Sequence, residues 1–316
     1  MDGILVIDKP QGITSHDVVA HARRILHERR IGHTGTLDPF ATGVLVLLVG
    51  VATRLARFLT GAVKEYHAVI RLGFETDTGD LTGQPLPGMT PAGSDVAELL
   101  ALNRIESALA SLRGPIDQTP PMYSAKKRGG RKLYELARRG ETVQLDPIKV
   151  HIHQLELIEP AVHKNPDGSF ELTVRVVCSA GAYIRVLATD FGRLLGCGAH
   201  LAELRRLRAG DFSLEGAKTL EQLQQLVKEK PGESILLPPD AALTSFPSLR
   251  LNRAQIRKAE CGMALLLADS SVAGWADGEQ VKINDEEGKL VAIGVYDSSG
   301  RLLRPRVVLA GGQNRR

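Results

Sequence analysis

No apolar run in this 316-residue chain approaches the ~18 residues that a membrane-spanning helix needs. The first residues, Met1-Asp2-Gly3-Ile4, carry neither a basic segment nor a long apolar core. No secretory leader is therefore expected. Cysteine is scarce: Cys178, Cys197 and Cys261 are far apart, odd in number and without CxxC spacing. That pattern argues against a disulfide framework or a structural zinc site and fits a reducing cytosol. The nine histidines show no HExxH or paired-ligand spacing, so no metal is expected. No Gly-Lys-Ser/Thr follows the glycines around residue 32, which defeats a P-loop reading. Asp77 and Asp80 lack the spacing and the closing Glu of an EF-hand calcium loop. Internal repeats, long low-complexity tracts and a heptad seam are all missing, and the chain is read as a cytoplasmic monomer.

What is present is an ordinary globular composition, 43% hydrophobic and 24% charged, with length enough for two domains and a sizeable core. Forty basic residues face 36 acidic ones, a net charge of +4 that decides little alone. Its distribution says more. Lys126 to Arg139 holds seven Lys/Arg and one acid, Glu135. Leu204-Arg205-Arg206-Leu207-Arg208 and the segment Arg301 to Arg306 add further clusters. Such patches fit a phosphate-bearing partner, and equally a solvated charged face.

The most informative stretch is Gly32-His33-Thr34-Gly35-Thr36-Leu37-Asp38-Pro39-Phe40-Ala41-Thr42-Gly43. One acid sits in a run of small residues where neither helix nor regular strand is expected. Pro39 biases Asp38 away from the α region and removes the next backbone donor. The apolar strand Val44 to Val49 follows at once. A loop carboxylate held by a rigid strand suits a nucleophile or an acid/base. Taken as a lone Asp-Pro it equally suits a turn.

The full twelve-residue string resembles the catalytic loop of the TruB family of tRNA pseudouridine synthases, whose aspartate is the catalytic residue. Three more stretches resemble that family in the same order. Asp8-Lys9-Pro10-x-Gly12-x-Thr14-Ser15 resembles its N-terminal motif, which places Lys9 near the site in a structural or an RNA-contacting role. Thr14 or Ser15 is then expected to cap a helix running to about Arg24 or Leu26. Lys64-Glu65-Tyr66 opens a strand in which Tyr66, Ala68, Ile70 and Leu72 alternate with His67, Val69 and Arg71. By residue type Tyr66 suits a core position, and by resemblance it stacks on the target base. Cys178-Ser179-x-Gly181-x-Tyr183-Ile184-Arg185 resembles the third motif. There the arginine pairs with the catalytic aspartate, so an Asp38–Arg185 ion pair is expected. Arg185 falls off the stripe Ile184, Leu187, Ala188 and Phe191 of its helix.

The resemblance also implies substrate contacts for His33, which fills the gap left by a flipped base, for Tyr183, and for Leu204 against the uracil ring. Pro120-Pro121-Met122-Tyr123-Ser124-Ala125-x-Lys127 and the basic segment after it resemble an RNA-binding excursion over about 118–145. Lys126, Lys127, Arg131 and Lys132 are its candidate phosphate contacts. Tyr123 suits stacking and packing alike. A helical stripe of Leu99, Leu102, Ile105, Leu109 and Leu112 reads as scaffold.

The implied fold is α+β. A catalytic domain with a mixed, largely antiparallel sheet flanked by helices spans 1–245. A small β-rich module, opened by a short helix over Leu251 to Gly262, spans 246–316 and resembles the PUA-type RNA-binding domain. The implied reaction isomerises uridine 55 in the T loop of tRNA to pseudouridine on a flipped-out base. It is redox-neutral, so neither nicotinamide nor metal is required. Asp38 attacks C1′ or C6, or deprotonates C2′, and Arg185 lowers its pKa. Tyr66 stacks and removes the C5 proton. Two other readings stand beside this one: a guide-RNA-dependent pseudouridine synthase, and a tRNA-folding chaperone whose value lies in binding.

Overall fold

The computed structural model describes residues 1–87, 100–123, 127–128, 131–133, 141, 143–166, 169–229, 232–268 and 274–309. The main sheet is built from β1 (Gly3–Lys9), β2 (Ile31–His33), β3 (Thr42–Val49), β4 (Lys64–Leu72) and β5 (Gly114–Gln118). A two-residue ladder, β6 (Lys127–Arg128) and β7 (Arg131–Lys132), stands apart. The main sheet then takes β8 (Ile148–Lys164), β9 (Phe170–Cys178), β10 (Ala199–Ala209) and β11 (Phe212–Ser213). Its order is β1-β3-β10-β4-β9-β8-β5, with β2 on β3 and β11 on β10. Among the described residues of this sheet only the β3–β10 pairing is parallel, so the sheet is mixed and largely antiparallel, as expected.

Along β4 the alternation holds at every position: Lys64, Tyr66, Ala68, Ile70 and Leu72 are buried and the residues between them are not. Tyr66, Ala68, Ile70 and Leu72 enter a large hydrophobic core. Helix α1 (Ser15–Leu26) starts on a capping box in which Thr14 and Asp17 exchange hydrogen bonds. Helix α2 (Ala56–Leu59) is a single turn, and α3 (Leu102–Ser111) buries Ile105 and Leu109 on the β4 side of the core. Leu102, expected on that stripe, is 61% exposed at the helix start, and Leu99 lies outside the described residues. Helix α4 (Ile184–Leu195) packs Ile184, Leu187, Ala188 and Phe191 into the same core. Helix α5 (Leu220–Glu229) joins α1 on the opposite face.

Two expectations need correcting. Gly32 and His33 do form a regular strand, because Ile31–His33 pairs with Leu47–Val49. The 17-residue β8 matches no element read from the sequence. Register shifts between Ile152 and Gln154 and between Ile158 and His163 break its period of two, and Pro160 interrupts its donors.

A second sheet, ordered β12-β14-β15-β16-β13, takes β12 (Ser248–Arg250), β13 (Leu265–Leu266), β14 (Gln280–Asn284), β15 (Leu290–Asp297) and β16 (Leu302–Val308). Helix α6 (Arg253–Glu260), capped by Asn252, lies against it. Leu290, Ile293 and Val307 share a hydrophobic cluster with Ile4, Val44, Leu48 and Phe212 of the main sheet. The two sheets are therefore packed together through apolar side chains. Among the described residues no helix is long and apolar enough to cross a membrane.

Candidate active site

The loop between β2 and β3 is pinned from three directions, which explains how small residues hold one conformation. From α1, the Ser15 hydroxyl accepts from Leu37 N at 2.9 Å and donates to Leu37 O at 3.1 Å. From β1, Lys9 Nζ donates to the carbonyls of Pro10 (2.9 Å), Pro39 (3.1 Å) and Ala41 (2.6 Å). From β10, Arg206 donates to the carbonyls of Gly35 (3.0 Å) and Val44 (2.6 Å). Leu37, Phe40 and Ala41 anchor the loop in the core. At its end Gly43 (φ +103°) lies so close to the Arg206 backbone that a Cβ would collide with it. Asp38 stands between these clamps.

Lys9 belongs to the scaffold in this geometry. It is fully buried, and the carbonyls of Pro10, Pro39 and Ala41 occupy all three ammonium donors, so none is left for RNA. Burial lowers its pKa to about 8. Lys9→Met strips these carbonyls of their donor and is expected to cost about 2–4 kcal/mol of stability. The urea-unfolding midpoint reads that loss.

The expected ion pair is present. Arg185 Nε lies 3.0 Å from Asp38 Oδ2, and Nη2 donates to Oδ1 at 3.3 Å. Arg185 is not the exposed first-turn cation that its place off the stripe allows. Its side chain is 5% exposed, whereas that of Asp38 is 34% exposed. A second carboxylate, Asp80, lies 3.4 Å from Nη1. The carbonyls of Thr78 (3.0 Å) and Tyr123 (2.7 Å) take the remaining guanidinium donors. Asp80 is itself held by Thr78 Oγ1 (2.9 Å), Thr82 N (2.9 Å) and Thr82 Oγ1 (2.6 Å). One buried arginine thus serves two carboxylates, and Asp38 is the one that stays open. This corrects the simple expectation for its pKa. Burial raises the Asp38 pKa, Arg185 and Lys9 oppose that, and Asp80 adds to it, so the net direction is upward.

Asp38, Arg185, Tyr66, His33, Tyr183 and Leu204 all line one cleft of roughly 450 Å³ above the centre of the sheet. Leu204 and Arg206 come from β10, and Tyr66 from the neighbouring β4. Tyr66 is 6% exposed, and burial raises the pKa of its hydroxyl. Tyr183 caps α4, and its backbone N–H donates to Gln118 Oε1 at 2.9 Å. The Cys178 thiol behind Tyr66 is pushed by burial to about 12, which makes it a poor nucleophile at neutral pH.

His33 meets His16 edge to face, ring centroids 5.5 Å apart. Burial, with His16 and Arg206 nearby, lowers its pKa to about 4. A neutral, half-buried imidazole suits stacking better than proton transfer at neutral pH. An imidazole NMR titration is expected to show one histidine with a midpoint near 4. The unfolded chain takes up that proton near 6.5. Stability therefore falls as pH drops through 6.5 and levels off below about 4.

The basic clusters resolve differently. Lys126 lies outside the described residues; Lys127, Arg131 and Lys132 are placed by their backbone on the β6–β7 ladder. Leu204 to Arg208 is no free phosphate-binding face. Arg205 pairs with Asp8 (2.7 Å), Arg208 with Glu65 (3.1 Å), and Arg206 is buried against carbonyls. Arg304 pairs with Asp297 at 3.1 Å. Tyr123 enters the site by its main chain, through the carbonyl on Arg185.

Asp80, Ser15 and Arg206 were missed by sequence reasoning. Arg206 had a usable signal: two residues after Leu204 on a strand, it must share the face of Leu204. Asp80 lay in a turn-rich string with no periodicity to place it.

A carboxylate held on an arginine and facing an open cleft, with an aromatic and a leucine beside it, is the layout of an enzyme acting on a planar substrate group. The fold places that enzyme among RNA-modifying proteins. A solved structure described as an H/ACA RNP bound to a substrate RNA containing 2′-deoxyuridine matches with a TM-score of 0.70 at 26% identity, covering 98% of this chain and 86% of that one. Residues 23–184 match the model of the TruB family pseudouridylate synthase N-terminal domain, and 185–244 that of the tRNA pseudouridylate synthase B C-terminal domain. The chain belongs to the TruB family of pseudouridylate synthases. It is 43% identical over 297 residues to tRNA pseudouridine synthase B of Solibacter usitatus, covering 93% of this chain and 95% of that one. It is also 43% identical over 311 residues to the protein of the same description from Aromatoleum aromaticum, covering 98% and 93%.

Proposed function

We propose that this chain is a tRNA pseudouridine synthase that takes uridine 55 of the T stem-loop and isomerises it in the cleft, with Asp38 as the catalytic carboxylate. The observation that carries the reading is the Asp38 carboxylate itself, fixed on Arg185 at 3.0 Å yet open to the cleft. The N1–C1′ bond breaks, the uracil turns, and C5 bonds to C1′. Asp38 supplies the negative charge next to the sugar or base. Leu204 and Tyr66 enclose the ring, and His33 fills the place of the extruded nucleotide. Tyr66 accepts the C5 proton. The overall change is an isomerisation and is redox-neutral.

The remaining basic residues of the excursion, Lys126, Lys127, Arg131 and Lys132, are assigned to the tRNA backbone. The module over 246–316 is assigned to RNA binding as a PUA-type domain appended to the catalytic domain over 1–245. The protein acts as a cytoplasmic monomer. The stand-alone reading is favoured over a guided one by sequence: 43% identity to the tRNA enzymes against 26% to the H/ACA chain.

The test is mapping without any guide RNA. An unmodified tRNA transcript is incubated with the protein, treated with a carbodiimide that leaves a stable adduct on pseudouridine, and read by primer extension. A stop at position 55 that disappears when that uridine is replaced by cytidine supports the reading. A stop that requires added guide RNA overturns it.

A further inference from the structure

Arg206 is the largest buried polar side chain in the site, 1% exposed, and the reaction as described leaves it without a task. It stands directly across from Tyr66 in the antiparallel β4–β10 ladder. Residues opposite one another in such a pair project from the same face of the sheet. Both also line the cleft. Two of the arginine's nitrogens are accounted for, Nε on the Val44 carbonyl and Nη2 on the Gly35 carbonyl. The third, Nη1, is buried and has no hydrogen-bond partner among the described residues. A buried guanidinium nitrogen without an acceptor is costly, and such groups are seldom left unmade without a use. The side chain cannot swing away to find another acceptor, because its two bonded nitrogens are held on opposite ends of the Asp38 loop.

We propose that Arg206 is a positioning residue for Tyr66: two of its donors lock the Asp38 loop to β10, and Nη1 is kept for the Tyr66 oxygen while that oxygen is negative. The proposal rests on Tyr66 being the base that removes the C5 proton. The phenol first loses its proton to water. In the step itself the C5–H bond breaks, its electron pair returns to the uracil ring, and the proton passes to the phenolate oxygen. The groups facing Tyr66 are Arg206 from β10, Cys178 from β9 and Asp38 from the loop, with Lys64 on the same face of β4. Burial works against the phenolate, and the charge of Arg206 works for it. The same guanidinium therefore ties the position of the acid to the readiness of the base.

The experiment is a double-mutant cycle between Arg206→Lys and Tyr66→Phe, read by single-turnover tritium release from C5-labelled tRNA across pH. Arg206→Lys is expected to lower the rate about 10- to 100-fold beside Tyr66, and by less than about threefold in the Tyr66→Phe background. With Tyr66 in place, the alkaline rise in rate moves to higher pH, while tRNA affinity is unchanged. Equal losses in both backgrounds overturn the proposal, since a purely structural brace acts regardless of the phenol. Full activity of Tyr66→Phe removes the base on which the proposal rests, a result distinct from equal losses. Should Arg206→Lys fail to fold, arginine-labelled NMR of the native sequence is the second measurement. One buried guanidinium signal is expected to move on Tyr66→Phe, and no movement overturns the contact.

Discussion

Asp38→Asn is expected to lower C5-hydrogen release from tRNA by about 10⁴-fold or more, with tRNA affinity held within about threefold. Asn has nearly the same shape, and its amide oxygen still accepts from Arg185, so the loop keeps its clamps. What vanishes is the negative charge. Each mechanism open to Asp38, attack on C1′, attack on C6 or deprotonation of C2′, needs that charge. The direction of its pKa adds a second signature. Burial and Asp80 raise the Asp38 pKa above its usual place. The wild-type rate should therefore fall, as pH is lowered, sooner than for an ordinary carboxylate with a pKa near 3.9. Filter binding and single-turnover kinetics on the same variant separate affinity from chemistry.

Arg185→Met is the second large effect, and here stability goes with activity. Removing the guanidinium leaves Asp38 and Asp80 facing one another around an apolar side chain, with Asp80 6% exposed. Breaking a buried pair in this way costs about 3–5 kcal/mol. Asp80→Asn on top of Arg185→Met removes the surplus charge and is expected to restore part of the urea midpoint. Activity should not return, because Asp38 still lacks its orienting partner. A midpoint unchanged in Arg185→Met would contradict the reading of this arginine as the shared counter-ion. Losing the Thr78 and Tyr123 carbonyl contacts adds to the loss and ties it to the segment around 118–123.

Which parts of this were legible in the sequence follows from how far each signal reaches. The alternation of β4, the cap of α1 and the stripe of α4 are local signals: the structure has both periodic patterns where they are expected and takes Thr14, of the two cap candidates, as the N-cap. The Asp38–Arg185 pair spans 147 positions, and only resemblance made it visible. The arginines after Leu204 show the opposite case. Read along the chain they form a basic cluster, yet their partners Asp8 and Glu65 are 197 and 143 positions away. Alternation separates Arg205 from Arg206, and a register shift between Arg206 and Arg208 turns Arg208 towards Glu65, so one string of charge became two ion pairs and a buried brace. Burial was equally invisible. The charge on Arg185 promised a lowered Asp38 pKa, and the depth of the cleft reversed the net direction. Strand β8 hid because its bulges slip the alternation that would have announced it.

Isomerisation of a tRNA uridine through Asp38 is directly measurable. Tritium release from a transcript labelled at uridine C5 reads that chemistry at the atom where it happens, because forming the C5 glycoside expels the C5 hydrogen. Release is expected with the wild-type protein, none with Asp38→Asn, and none when the T-loop uridine is replaced. Tight binding of the transcript without release by the wild-type protein would contradict it.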